Sequence, residues 1–231
     1  MKLLLSSDAL PAASLDELGQ ACRHRALDGL ELVLGRSQGH RYEALRCPIE
    51  AGDEAVVPPV PIYWLALPGR SRLSELMTWA GEAHRLGAGL LLWEPVEELP
   101  RPVRVALVHG SDPTELAVAV RWAERQGMHT CYQPEPEVLR RCGWKEALQQ
   151  TFPTLVHVRL PGSGPEGQAA EAPTGVGALL AQLALAGYSG TVALVPSNAE
   201  RLPEWETWLR RRRGWGCGTA VLRQAAQTPS S

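Results

Sequence analysis

A chain of 231 residues with a formal net charge of −2 and a pI near 6.3 can bury one large core, and it offers no electrostatic case for binding nucleic acid or an anionic membrane surface. No apolar run approaches the roughly 20 residues of a membrane span, and Ser6, Ser7 and Asp8 end the apolar start too early for a signal peptide. Five cysteines (Cys22, Cys47, Cys131, Cys142 and Cys217) are odd in number and hold no CxxC pair, which argues against a zinc ribbon or a disulfide framework and for a reducing cytoplasm.

In chain order, Lys2 to Ser6 is a predicted strand. Ser14 with Glu17 forms a capping box for a helix to about Leu27, with Leu15, Leu18, Cys22 and Ala26 on one face. Asp28-Gly29 breaks it, and Leu30 to Leu34 is the second strand. Gly35 to Pro59 shows little pattern beyond a short helix around Tyr42 to Leu45. Val60 to Leu67 is a third strand, Ser71 caps a helix that Gly87 ends, and Leu90 to Trp93 is a fourth strand. Pro95 to Pro102 is too short for a full helix. Val103 to Val108 is followed by a helix from Asp112-Pro113 to Gly127. Met128 to Tyr132 precedes one helix over Pro136 to Gln150. Thr154 to Leu160, a helix over Ala178 to Ala186, and Thr191 to Val195 come next, and Pro203 to Arg213 is a last helix.

Eight near-continuously apolar strands, nearly all followed by a helix or a short substitute, predict a compact (β/α)8 TIM barrel with one or two helices shortened or missing. A doubly wound sheet is the runner-up, weakened because SSDALPAAS after the first strand is no Gly-rich phosphate loop. The barrel is expected to span residues 1–218 as one domain, with 219–231 a partly disordered tail. The basic run Arg210 to Arg213 reads as a solvated face near a helix end.

Three stretches carry a resemblance. Leu27-Asp28-Gly29-Leu30-Glu31-Leu32 looks like a first helix running into a second strand, and Val156-His157-Val158-Arg159-Leu160 like a seventh strand. Pro173 to Val195 looks like a glycine-opened helix, a Gly-Tyr-Ser-Gly turn and an eighth strand. Together they resemble the xylose isomerase-like barrels, the superfamily of sugar-phosphate isomerases and epimerases that includes the endonuclease IV type. The resemblance implies a divalent metal held by a Glu after the fifth strand, an acid after the sixth, a His on the seventh and a Glu after the eighth. Two of the carboxylates would exchange a proton beside a carbonyl.

Here the fifth strand carries Val108 beside His109, and the sixth ends Cys131-Tyr132-Gln133 with no acid before Glu135. The seventh keeps His157 but has Leu160, and the eighth ends Val195-Pro196-Ser197. One imidazole does not hold a hard divalent cation against water. No cofactor is therefore expected at the usual place. Mn, Mg or Zn would enter only through a rearranged site of Glu94, His109, Glu135 and His157.

Active sites of such barrels lie at the strand C-terminal rim. There Glu94, His109 and His157 are the candidate catalytic residues, and Arg159, Gln133 and Glu31 the candidate substrate contacts. Rim residues Ser7, Asp8, Arg36, Arg70 and Ser197 complete the ring. His157 and Arg159 alternate, so both side chains face the barrel mouth. There Arg159 either grips a phosphate or carboxylate or pairs internally with Glu94 or Glu31. The small polar loop Gly162 to Ala172 is either a lid or a linker.

Two functions follow. One is an isomerase- or epimerase-like enzyme that moves a proton on a small sugar-like or carboxylated substrate, and it requires an open polar pocket at the rim. The other is a non-catalytic barrel acting as a binding or partner subunit, as a homodimer or with another protein. It requires an apolar patch, with Trp205, Trp208 and Trp215 as candidates. Neither involves nucleic acid or a membrane.

Overall fold

The computed structural model describes residues 1–10, 13–34, 58–67, 69, 73–97, 103–141, 143–162 and 174–196. Eight parallel strands close into a barrel in sequence order, each paired with the next and the last with the first. They are β1 (Lys2–Ser6), β2 (Gly29–Val33), β3 (Ile62–Leu67), β4 (Gly89–Leu92), β5 (Val105–His109), β6 (His129–Tyr132), β7 (Leu155–Gly162) and β8 (Thr191–Pro196). The helices are α1 (Leu15–His24), α2 (Leu73–Leu86), α3 (Pro113–Gln126), α4 (Pro136–Arg140), α5 (Trp144–Thr151) and α6 (Thr174–Leu185). The closed parallel barrel with helices between its strands is the compact (β/α)8 TIM barrel that the strand pattern predicts, and among the described residues no helix lies between β2 and β3 or between β4 and β5. Nor, among them, is any helix long and apolar enough to cross a membrane.

Strand alternation divides the apolar residues between two cores. Residues such as Leu5, Leu30, Leu65, Leu90 and Leu107 face outward and pack under the helices. Leu4, Val33, Trp64, Ala66, Leu91, Ala106, Val108, Cys131 and Ala193 fill the barrel interior. Trp64 fits inside because Gly89 lies opposite it in β4; a Cβ there would collide with the indole ring.

Local chemistry sets the helix ends. Ser14 and Glu17 form the reciprocal capping box of α1. Asp112 accepts from the N–H groups of Thr114 and Glu115 at the start of α3, and Gly127 closes that helix at φ 62°. The single helix expected over Pro136 to Gln150 is two, α4 and α5, separated at Arg141–Gly143. Gly143, a poor helix interior residue, serves instead as the N-cap of α5. β7 runs two residues past the expected end, because Pro161 and Gly162 stay in register with Val195 and Pro196. Several predicted features lie outside the described residues: the Tyr42–Leu45 helix, the Ser71 cap, most of the Gly162–Ala172 loop, the Pro203–Arg213 helix with its tryptophans and basic run, and the tail.

Candidate functional site

Glu31, on β2, and His157 and Arg159, on β7, belong to strands that are otherwise apolar, and the barrel's alternation turns all three inward. Glu31 and His157 are fully buried and Arg159 is 3% exposed. Buried charges require partners, and here each has several. Arg159 Nε donates to both Glu31 oxygens at 3.1 Å, and Nη2 donates to Oε1 at 3.0 Å. Its Nη2 also reaches Asp8 Oδ2 at 3.3 Å, and Nη1 donates to Gln133 Oε1 at 2.6 Å. The half-buried Trp93 ring lies 4.9 Å from the guanidinium carbon.

Glu31 also accepts from the Ser6 hydroxyl at 2.7 Å and from His157 Nε2 at 2.8 Å. Burial pushes the Glu31 carboxyl up, but the charge of Arg159 and the bonds from His157 and Arg159 outweigh it, holding the group at about 2. Burial lowers the pKa of His157. A neutral imidazole facing a carboxylate must carry its proton on Nε2, which leaves Nδ1 to accept from the Thr191 hydroxyl at 2.6 Å. Thr191 in turn accepts from Trp64 Nε1 at 2.8 Å. From Trp64 through Thr191, His157 and Glu31 to Arg159, every polar group has a partner.

Beside this cluster a cavity of about 380 Å³ opens over the ends of β5 and β6. Trp93, His109, Glu115, Gln133 and Glu135 are among its walls, and no described Lys or Arg lines it. Trp93 and Gln133 belong to both the cavity and the ion cluster.

His109 ends β5 on the same side of the strand as Leu107, against the Tyr132 ring, whose centroid is 5.4 Å away. Its Nδ1 lies 2.8 Å from the Gly110 carbonyl, an acceptor only, so the proton sits on Nδ1. The Nε2 atom is buried and has no hydrogen-bond partner among the described residues. Burial also lowers the pKa of His109, whose imidazole is therefore neutral at pH 7. Around it, Glu115 accepts from Gly110 N and Glu135 from Ser111 N, each at 3.3 Å. Ser111 bonds the Tyr132 hydroxyl at 2.8 Å, and burial pushes the Tyr132 phenol up to about 12.

The structure thus gathers Glu31, Gln133, His157 and Arg159 into one cluster and sets His109 apart on the other side of its strand. Glu94 lies just past β4 and is exposed. Arg36, Arg70 and Ser197 lie outside the described residues. Sequence reasoning missed Thr191, Trp64 and Glu115. Their signal was weak: Thr191 and Trp64 read as ordinary strand residues, and Glu115 as a first-turn helix acid.

No family model matches the chain, and no curated protein matches it. Solved structures do. A xylose isomerase domain-containing protein from Salmonella typhimurium aligns at 12% identity with a TM-score of 0.60, covering 93% of this chain and 96% of that one. An AP endonuclease, family 2, from Brucella melitensis aligns at 12% identity and TM-score 0.53, over 89% and 98%. An uncharacterized protein from Parabacteroides distasonis aligns at 12% identity and TM-score 0.51, over 90% and 96%. At 12% identity these likenesses show the fold alone: this chain is a TIM barrel similar to those structures over nearly its whole length.

Proposed function

We propose that the protein binds a small uncharged, sugar-like molecule in the rim cavity and that His109 is its proton acceptor. The observation that carries this is His109 in the cavity lining, neutral and with a buried Nε2 that has no hydrogen-bond partner among the described residues. An unpaired buried acceptor costs about 1–3 kcal/mol, a cost a ligand hydroxyl would offset. The imidazolium formed when His109 accepts a proton would return it to the neighbouring carbon, so the transfer balances on His109 alone and the reaction class is isomerase-like, with Glu135 a further wall of the same cavity. Two carboxylates and no described cation disfavour a phosphorylated or carboxylated ligand there. Arg159 does not supply the missing cation, because Glu31, Asp8 and Gln133 already hold it.

The chemistry proposed is metal-independent. The residues at the barrel mouth do not fit a divalent cation: both nitrogens of His157 are engaged, and Glu31 is saturated by Ser6, His157 and Arg159. Among the described residues no three His, Cys, Asp or Glu side chains are placed to share an ion.

A second reading is a binding subunit without turnover, favoured by the way the ion cluster fills the barrel mouth. One experiment separates the two. Wild type and His109→Gln are incubated in D₂O with D-xylose or D-fructose, and with their phosphates, while sugar C–H exchange is followed by NMR. Catalysis predicts binding of the neutral sugars and exchange that His109→Gln abolishes. Binding without exchange selects the subunit reading. Preference for the phosphates would sink the proposed ligand class.

A further inference from the structure

We infer that Arg159 is a positioning residue for the rim cavity: through Gln133 it fixes which end of an amide a ligand meets. The inference rests on the cavity reading above and concerns how the cavity is polarised.

A guanidinium has donors and no acceptor. At 2.6 Å from Arg159 Nη1, Gln133 can present only its oxygen; a flipped amide would set N–H against N–H. Gln133 is half-buried and lines the cavity, so its NH₂ is the end left to face a ligand. The guanidinium cannot swing away to release it. Its Nε and Nη2 are held on Glu31, which Ser6 and His157 fix, and His157 is fixed by Thr191 and Trp64. Five strands, β1, β2, β3, β7 and β8, thus contribute to orienting one side chain beyond the end of β6. Trp93 is held in the same way, stacked on the guanidinium and forming a wall of the cavity.

The cavity therefore offers a fixed donor from Gln133 and an aromatic wall, with His109 in its lining. A ligand with an acceptor oxygen satisfies Gln133, whereas one with donors alone leaves it unpaired. Preorganised groups of this kind act without reorganising when the ligand arrives.

The test uses the full chain, with D-fructose as the probe. Gln133→Glu keeps an oxygen for Arg159 but replaces the donor by a second acceptor. Thermal melting is expected to hold, while D-fructose affinity falls about tenfold, the loss of one hydrogen bond of roughly 1.4 kcal/mol. Arg159→Lys keeps the charge near Glu31 but loses the fork, and it weakens binding by a similar factor. Equal affinity in wild type and Gln133→Glu overturns the inference.

The positioning is also read without ligand, from the Gln133 side-chain amide in ¹⁵N NMR. It should be motionally restricted, with a high order parameter, in wild type and motionally averaged in Arg159→Lys. An amide already averaged in wild type overturns the inference. If wild type takes up no D-fructose, the cavity reading fails for that sugar and the amide signals alone decide this one.

Discussion

Arg159 and Glu31 meet inside the barrel through three N–H···O contacts of 3.0–3.1 Å, with one side chain 4% exposed and the other fully buried. Neither charge has water to fall back on. Removing one partner strands the other, which is far more costly than the net worth of the pair. Glu31→Gln is expected to destabilise the fold by about 3–5 kcal/mol in urea denaturation. Replacing both residues by apolar ones of similar size should cost less than the two single changes summed.

Thr191 bridges two buried nitrogens, accepting from Trp64 and donating to His157. Thr191→Val conserves the shape and removes both bonds. About 1–3 kcal/mol for each orphaned group is the expected scale, seen as a lower urea midpoint together with a shifted tryptophan emission. An unchanged midpoint would mean that water or another group takes over the hydroxyl's place.

Acid should weaken the fold in two stages. Burial lowers His157 and His109, so the unfolded chain takes up those protons first, and stability begins to fall as pH drops below the ordinary histidine value of 6.5. Glu31 stays charged down to about 2, so its contribution is present above its ordinary 4.5 and is lost as pH falls from there toward about 2. Asp8 works in the opposite sense, because burial raises its pKa and the folded state binds that proton more readily. Urea midpoints at pH 7, 5.5 and 4 should decline in that order; a flat profile would contradict the assigned charges.

The strands were legible because near-continuous apolar runs between polar breaks have few other uses in a chain of this length. β1 falls on the predicted residues, and β2 begins one residue early because Gly29 pairs with Leu4. The break at Gly143 was harder to see, since the flanking segments share one helical pattern. In the site, a charge embedded in an apolar strand is a strong signal, and alternation alone turns Glu31, His157 and Arg159 the same way. Which acid Arg159 chooses depends on register between strands far apart in sequence, which local pattern does not encode.

Gly110 is the point where Glu135 can be displaced without replacing any of the cavity's polar residues. A Cβ there would run into the Glu135 carboxylate, which is the mobile end of an exposed side chain. Gly110→Ala should therefore change melting little, within about 1 kcal/mol, while moving Glu135 off the Ser111 N–H. Neutral-sugar binding, followed by titration calorimetry, is expected to weaken. Wild-type affinity in this variant would remove Glu135 from the proposed site.

Chelation gives a simple control on the metal-independent proposal. Dialysis against EDTA is expected to leave both the melting temperature and sugar binding unchanged. A drop in either, restored by Mn²⁺, Mg²⁺ or Zn²⁺, would show that an ion binds and stabilises the native state.

β8 closes the barrel by pairing with both β7 and β1, and it carries Thr191. Without β8 the indole of Trp64 and the ring of His157 would lack their shared partner. Long-range pairing of this kind forms slowly. The last strand thus does more than seal an edge: it completes the wiring, and barrels that close in the wrong register would leave that wiring broken.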